Sequence, residues 1–294
     1  MNLFLLARRP SRRLYDCVSE GSAQVVIRHY SSSFGLASRL LAEPVRSRVR
    51  NIYALVRVAD EIVDNPDPAL GAEPRARMLT WLHEDVRHAL QTGYSGNLVV
   101  HAFARTALSC GIGEELIDPF FASMNMDLET TVHSRETFER YIYGSAEVVG
   151  LMCLRVFLAG VGSGDRFGDY DELAPGARRL GAAFQKLNFL RDLAADHDTL
   201  SRSYFPGLVV DRFCDDDRDR ILDDITADLD AAAAVIPRLP ASSRRAVRVA
   251  HATFAELAAR LRATPAAKIR RTRVRVPDTV KVRLVAGALC GGRS

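Results

Sequence analysis

Two aspartate-bearing helical stretches, Arg57-Val-Ala-Asp60-Glu-Ile-Val-Asp64 and Gln185-Lys-Leu-Asn188-Phe-Leu-Arg191-Asp192-Leu-Ala-Ala-Asp196, constrain this chain more than any other feature. An α-helix turns by about 100° per residue, so Tyr53, Arg57, Asp60 and Asp64 fall on one narrow stripe, and so do Gln185, Asn188, Asp192 and Asp196. Both stripes run through otherwise apolar sequence and are expected to face inward. Carboxylates held there repel one another unless a cation sits between them. Two such helices, distant in sequence, can face each other across a helical bundle whose interior carries polar groups. Hard oxygen donors with few nitrogen or sulfur partners suit Mg²⁺, with Mn²⁺ as a substitute, and Mg²⁺ in such sites carries substrate phosphates.

Spacing alone does not single these stripes out, because Asp-x-x-x-Asp occurs seven times in the chain. Asp165 and Asp169 lie among Gly162, Gly164 and Gly168 and read as loop. The chained pairs from Asp211 to Asp228 read as a solvated helix face and its preceding turn. Only 60/64 and 192/196 combine apolar flanks, a long helical pattern and an in-register Arg or Asn. Either stripe alone is also compatible with an exposed charged face; two matching stripes favour a shared metal site.

Gly and Pro divide the rest of the chain into helical lengths, and alternating strand patterns are absent. Helices are expected at 14–30, 34–42, 45–64, 74–91, 97–110, 114–128, 135–160, 172–199, 216–236, 242–263 and 278–289. No linker interrupts this order, so residues 1–294 are expected to form one all-α domain, ordered over about 14–290, with a central cavity. A hydrophobic content of 48% supplies a sizeable core. The five cysteines form no C-x-x-C and read as reduced thiols. Met1 to Leu6 is too short for a signal peptide. The most apolar stretch, Val148 to Val161, is short and interrupted by Arg155, so no bilayer span is expected. The chain is accordingly expected in the cytoplasm, with peripheral membrane contact if its substrate or product is greasy.

Several further segments carry chemistry. Tyr30-Ser31-Ser32-Ser33-Phe34-Gly35 precedes an apolar helix; its hydroxyls serve either as caps or, with the helix N-terminus, as an anion site. Within Glu136 to Met152, Gly144 and Gly150 each cost a helix about 1 kcal/mol, which a close helix contact or a tunnel wall would justify. In Ser201-Arg202-Ser203-Tyr204-Phe205-Pro206, Arg202 is placed to clamp a diphosphate and Tyr204 to shield a cation, the alternative being a surface turn. The run from Lys268 to Pro277, with Arg270, Arg271, Arg273 and Arg275, is the densest basic cluster. It lacks the interleaved aromatics of a nucleic-acid site, and the net charge of +4 is mild, so no nucleic-acid partner is expected. The histidines show no metal-ligand spacing, and no Walker loop, dinucleotide fingerprint or nucleophile elbow is present, which argues against nucleotide-dependent chemistry and covalent acyl transfer.

Taken as an ordered set, the Tyr-Ser-x-Ser-Phe opening, Arg-x-x-Asp-Glu-x-x-Asp, Gly-Ser-Ala-Glu-Val-Val-Gly-Leu-Met and Gln-x-x-Asn-x-x-Arg-Asp-x-x-x-Asp resemble the squalene/phytoene synthase family, and within it the bacterial phytoene synthases. The resemblance runs from about Tyr30 to about Pro277. It implies an isoprenoid-synthase helical bundle in which two molecules of geranylgeranyl diphosphate condense head to head to 15-cis-phytoene through prephytoene diphosphate, without NADPH. On this resemblance Asp60, Asp64, Asn188, Asp192 and Asp196 are Mg²⁺–diphosphate positions. Tyr30, Ser31, Ser33, Phe34, Tyr53, Arg57, Gln185, Arg191 and Tyr204 match substrate contacts. Tyr143 matches an aromatic lining the reaction chamber, and Arg273 a late basic residue near the diphosphate. Asp60, Asp64, Asp192, Asp196, Arg57 and Tyr204 are the implied catalytic set. The chain departs from the family pattern at Glu147, which adds a carboxylate near the expected chamber, and at Phe254, where relatives have a tyrosine.

Three other readings compete, the weakest being a basic helical nucleic-acid binder, which would show strongly salt-dependent binding to DNA or RNA. The same reaction type on farnesyl diphosphate would give dehydrosqualene, hydroxysqualene or, with NADPH, squalene; pocket depth separates the two. A non-catalytic assembly factor of the same fold should have lost the aspartates or arginines of the stripes, which this chain retains.

Overall fold

A computed structural model describes residues 12–30, 33–65, 67, 70–159, 169–200 and 202–290; the side chains of 33, 34, 196–200, 289 and 290 are outside the description. The helices follow the Gly and Pro punctuation: α1 (Arg12–Tyr30), α2 (Ser33–Ser38), α3 (Val45–Val63), α4 (Ala72–Thr92), α5 (Leu98–Cys110), α6 (Glu114–Glu129), α7 (Arg135–Ile142), α8 (Val148–Leu158), α9 (Tyr170–Leu200), α10 (Asp215–Val235), α11 (Ala241–Arg262), α12 (Ala266–Ile269) and α13 (Asp278–Cys290). Among the described residues no strand forms; a single isolated bridge joins Val132 and Ser203. The ends have local causes. Gly93 and Gly111, at φ 71° and 67°, close α4 and α5 in the left-handed conformation, and the Asn97 side chain accepts the N–H groups of Val99 and Val100 to start α5.

Two large apolar cores, with two smaller clusters around Leu173 and Ala37, hold the helices together. In the first, α3 buries Val45, Val49, Ile52, Leu55, Ala59 and Val63, spaced by three and four residues, against Phe103 of α5 and Phe120 and Phe121 of α6. In the second, Leu187 and Leu190 of α9 pack with Leu222 and Ile225 of α10 and Leu261 of α11. The inward line of α3 lies beside its core-facing line, so the helix seals one core and still presents polar groups to the space between the two.

The expected helix over 135–160 is helical throughout 135–158 but changes pitch. It divides into α7, a π-helical turn over Tyr143–Glu147, and α8. The wider turn falls where Gly144 is pressed against α6: a Cβ there would lie 2.0 Å from Ser123 Oγ and 2.1 Å from the Pro119 carbonyl. Gly150 makes the close helix contact expected of it with α9, where a Cβ would meet the Ala177 carbonyl at 2.4 Å. Contrary to expectation, the run Arg135–Leu158 is by length and composition apolar enough to cross a bilayer. It packs against α6 and α9 as a core element, with 56% of its most apolar window buried.

Asp228 also departs from the sequence reading. Rather than extending a solvated face, it is 2% exposed and accepts bonds from Lys186 Nζ and Arg179 Nη1, both at 2.8 Å. Burial alone would lower the Lys186 pKa, but its bonds to Asp224 and Asp228 hold it above the ordinary value.

Candidate active site

Both polar stripes line one cavity of about 620 Å³. Tyr53, Arg57 and Asp60 enter it from α3 and Asp64 from the residue that caps that helix, and Gln185, Asn188 and Asp192 from α9. Tyr30, Arg191, Arg202, Tyr204 and Arg273 join them. Leu154, Phe157, Leu180, Val235 and Phe254 supply apolar wall, with Phe254 stacked on Phe184 at 3.7 Å. The inward stripes follow directly from helical periodicity, and the close α8–α9 crossing brings apolar wall to the same space.

On α3, Arg57 Nη1 stands 3.8 Å from Asp60 Oδ2, its second terminal nitrogen is paired with Glu61, and its guanidinium lies over the Tyr30 ring at 4.5 Å. Asp60 sits deep in the bundle but retains 32% of its side-chain surface, open to the cavity. Burial, and then the Asp64 carboxylate, push its pKa up to about 8, against the pull of Arg57. On α9, Asp192 is held from two sides: Arg191 Nη2 donates to Oδ2 at 2.5 Å, and Arg273 Nε pairs with Oδ1 at 2.7 Å. Arg273 arrives from the extended segment after α12, so the late basic run reaches the second stripe.

A third cluster joins the stripes. Arg202, 7% exposed, donates from Nη1 to Asp64 Oδ1 at 2.6 Å and to the Tyr204 hydroxyl at 3.3 Å, and from Nη2 to the carbonyls of Asp127 at 3.0 Å and Val63 at 3.3 Å. Asp127 accepts the hydroxyls of Tyr141 at 2.6 Å and Tyr204 at 3.1 Å. The Tyr204 ring lies flat on Phe189 at 3.7 Å. Burial pushes Asp127 up to about 6, although Arg202 and the Tyr141 hydroxyl pull it down. Burial alone would lower Arg202, but Asp127, Tyr204 and Asp64 together hold it above the ordinary guanidinium range.

Sequence reasoning missed Asp127 and Tyr141. The available signal was an acidic residue on the buried register of α6, continuing Ile117, Phe120, Phe121 and Met124. Two expectations are corrected. Tyr143 does not line this cavity: with Glu147 it lines a second one, of about 870 Å³, beneath the Arg178 guanidinium, and Tyr141 takes the expected place. Glu147 is bound by Arg178 Nε at 2.6 Å and adds no carboxylate to the chamber. Of the other expected residues, Ser31 lies outside the described residues, as do the side chains of Ser33, Phe34 and Asp196, whose backbones belong to α2 and α9.

The donor set suits Mg²⁺ in kind. Asp60, Asp64, Asn188 and Asp192 are hard oxygen donors, and the raised Asp60 pKa marks a carboxylate short of positive charge. Among the described residues no three carboxylate, His or Cys side chains stand close enough to cage a cation. Mg²⁺ usually binds through one or two carboxylates and completes its shell with water and substrate phosphate, so carboxylates spread along a cavity wall fit it better than a closed cage.

The chain belongs to the squalene/phytoene synthase family, whose sequence model matches residues 27–279. Members of this family bind prenyl diphosphates. Among its relatives, a phytoene synthase from Pseudescherichia vulneris is 30% identical over 185 residues, 60% of this chain and 56% of that one. A bifunctional lycopene cyclase/phytoene synthase from Phycomyces blakesleeanus is 29% identical over 200 residues, 62% of this chain and 32% of that protein. A presqualene diphosphate synthase from Rhodopseudomonas palustris is 28% identical over 60% of this chain and 58% of its own length. The match thus spans about a third to three fifths of these curated relatives. The fold is shared with a dehydrosqualene synthase, at TM-score 0.77 and 18% identity over 95% of this chain and 98% of that one. It is also shared with squalene synthase HpnC from Alicyclobacillus acidocaldarius, at TM-score 0.72 and 18% identity over 85% and 95%.

Proposed function

We propose that the protein is a Mg²⁺-dependent prenyltransferase, a phytoene synthase that joins two geranylgeranyl diphosphates to 15-cis-phytoene through prephytoene diphosphate. The observation that carries this reading is the meeting of two aspartate stripes, with their arginines, on one largely apolar cavity. Mg²⁺, or Mn²⁺ in its place, would be held by Asp60, Asp64, Asn188, Asp192 and Asp196, and when bound supplies positive charge to the departing diphosphate. Arg57, Arg191, Arg202 and Arg273 offer planar donors to the same oxygens, exchanging a carboxylate partner for a phosphate one.

In the first half-reaction an allylic C–O bond breaks, diphosphate leaves with the electron pair, and the double bond of the second substrate attacks, losing a proton to close the cyclopropane. In the second, the remaining C–O bond breaks, the cation rearranges and a second proton is lost. The two halves release two diphosphates and two protons and consume no reductant, so NADPH has no part. Apolar walls keep water from the cation, while the faces of Phe189 and Tyr204 offer it π-electron density. A cytoplasmic enzyme meeting the bilayer at its periphery would deliver the C40 hydrocarbon to a phase that dissolves it.

Purified protein with Mg²⁺, given C15 and C20 diphosphates separately, with and without NADPH, tests the reading. A C40 triene formed from the C20 substrate without reductant is expected. A C30 product from the C15 substrate alone would transfer the assignment to a dehydrosqualene- or squalene-forming enzyme, and no turnover of either would refute it.

A further inference from the structure

Asp127 belongs to neither stripe, yet two other parts of the fold bond to it directly and a third, α3, is tied to it through Arg202. Its side chain is 4% exposed. Its carboxylate accepts Tyr141, from the last turn of α7, and Tyr204, from the segment after α9, while its own backbone carbonyl accepts Arg202. Arg202 in turn reaches α3 through Asp64 and the Val63 carbonyl. The 202–204 segment has one more tie to this side of the fold, a hydrogen bond from Ser203 N–H to the Thr131 carbonyl at 2.8 Å. The rings held by these bonds form a continuous surface: Tyr204 stacks on Phe189 at 3.7 Å and 6°, and Tyr141 stands 5.4 Å from Tyr204 and 5.9 Å from Phe189. All of these side chains line the cavity.

We propose that Asp127 is a positioning residue that clamps the 202–204 segment against α3 and α6, holding Arg202 on the first stripe and closing the aromatic wall beside the reacting carbons. The proposal rests on the prenyl-diphosphate reading and deepens it by assigning the wall that excludes water. The geometry gives a specific failure mode. With the carboxylate charge removed, Arg202 loses one of its two anions and only one acceptor oxygen remains for the two phenol hydroxyls, so the segment lifts and solvent enters. An allylic cation formed as diphosphate leaves with the electron pair then takes the oxygen of water, a C–O bond forms, one proton goes to solvent, and the turnover ends in a prenyl alcohol instead of a C–C bond.

The test uses Asp127→Asn, which retains shape and loses charge, with two readouts. The first is trypsin cleavage at the Arg202–Ser203 bond, compared in the same digest with cleavage after Arg135, whose side chain is 89% exposed. Proteolysis follows the population of the opened segment, and a rise of about tenfold at Arg202 relative to Arg135 is expected. The second is the ratio of prenyl alcohol to coupled hydrocarbon, which does not change with the fraction of molecules folded; a rise of about fivefold is expected, a shift in partition of about 1 kcal/mol. A folded variant that stays as resistant at Arg202 as the parent overturns the clamp. One that is cleaved faster but leaves the product ratio unchanged overturns the role in catalysis. If Asp127→Asn does not fold, the Tyr141→Phe/Tyr204→Phe pair, which retains both rings and removes both hydrogen bonds, carries the same two comparisons. A parent protein that forms no prenyl product would sink the proposed function, while cleavage at Arg202 would still decide whether the clamp exists.

Discussion

Arg202→Met isolates the energetics of the buried charge cluster, because methionine retains much of the apolar stem and removes every donor. The side chain is 7% exposed and loses two carboxylate partners, Asp64 and Asp127, two backbone carbonyls and one hydroxyl. Breaking a buried pair by removing one partner costs about 3–5 kcal/mol. Unfolding entropy of about 2.1 cal/mol/K per residue amounts to roughly 0.6 kcal/mol/K for a chain of this length, so the midpoint should fall by about 5–8 °C. The loss should also depend on pH. Asp127 titrates near 6 in the fold, above an unfolded carboxylate, so the folded state binds the extra proton and its stability declines as pH rises from about 4 to 6. Removing Arg202 raises the folded value further and extends that decline upward. Calorimetric melts of both proteins at pH 5 and pH 8 should therefore show the larger gap at pH 8. A gap below about 1 kcal/mol at pH 8, or a larger one at pH 5, would show that Arg202 does not stabilise the buried carboxylates.

Asp60→Asn should reduce turnover by at least about a hundredfold without lowering the melting temperature at pH 8, since burial already opposes the charge it removes; circular dichroism and product assays check both parts. Mg²⁺ affinity, measured calorimetrically with inorganic diphosphate, should rise by up to about tenfold per pH unit between 6 and 8, because Asp60 must shed its proton to ligate; an affinity independent of pH would count against Asp60 as a ligand. Gly150→Ala should destabilise by about 1–3 kcal/mol, as its Cβ meets a backbone carbonyl that cannot turn aside, whereas Gly21→Ala, with open space around it in α1, should stabilise by about 0.5–1 kcal/mol; denaturant melts of the two give opposite signs.

What depends on local periodicity was legible in the residues alone. Tyr53, Arg57, Asp60 and Asp64 share a stripe because an unbroken helix repeats every 3.6 residues, and Gln185, Asn188 and Asp192 do so for the same reason. The helix boundaries at Gly93 and Gly111 are equally local, since a left-handed residue ends a helix whatever packs around it. An inward stripe in apolar sequence also foretold a polar-lined cavity, because the alternative is unpaired carboxylates in a core.

The tertiary structure alone decided the partners. Tyr141 rather than Tyr143 reaches the cavity because a π turn breaks the α-helical repeat after Ile142 and shifts which residues of this stretch face it. Asp228 is buried because Lys186 and Arg179 approach it from another helix, which an acidic run cannot reveal. Asp127 became the hub of the site only when α6, α7 and the 202–204 segment met, with Tyr141 from α7 and both Arg202 and Tyr204 from the segment reaching it. Helical phase is written in neighbouring residues, whereas the pairing of buried charges is set by which surfaces the packed helices bring together.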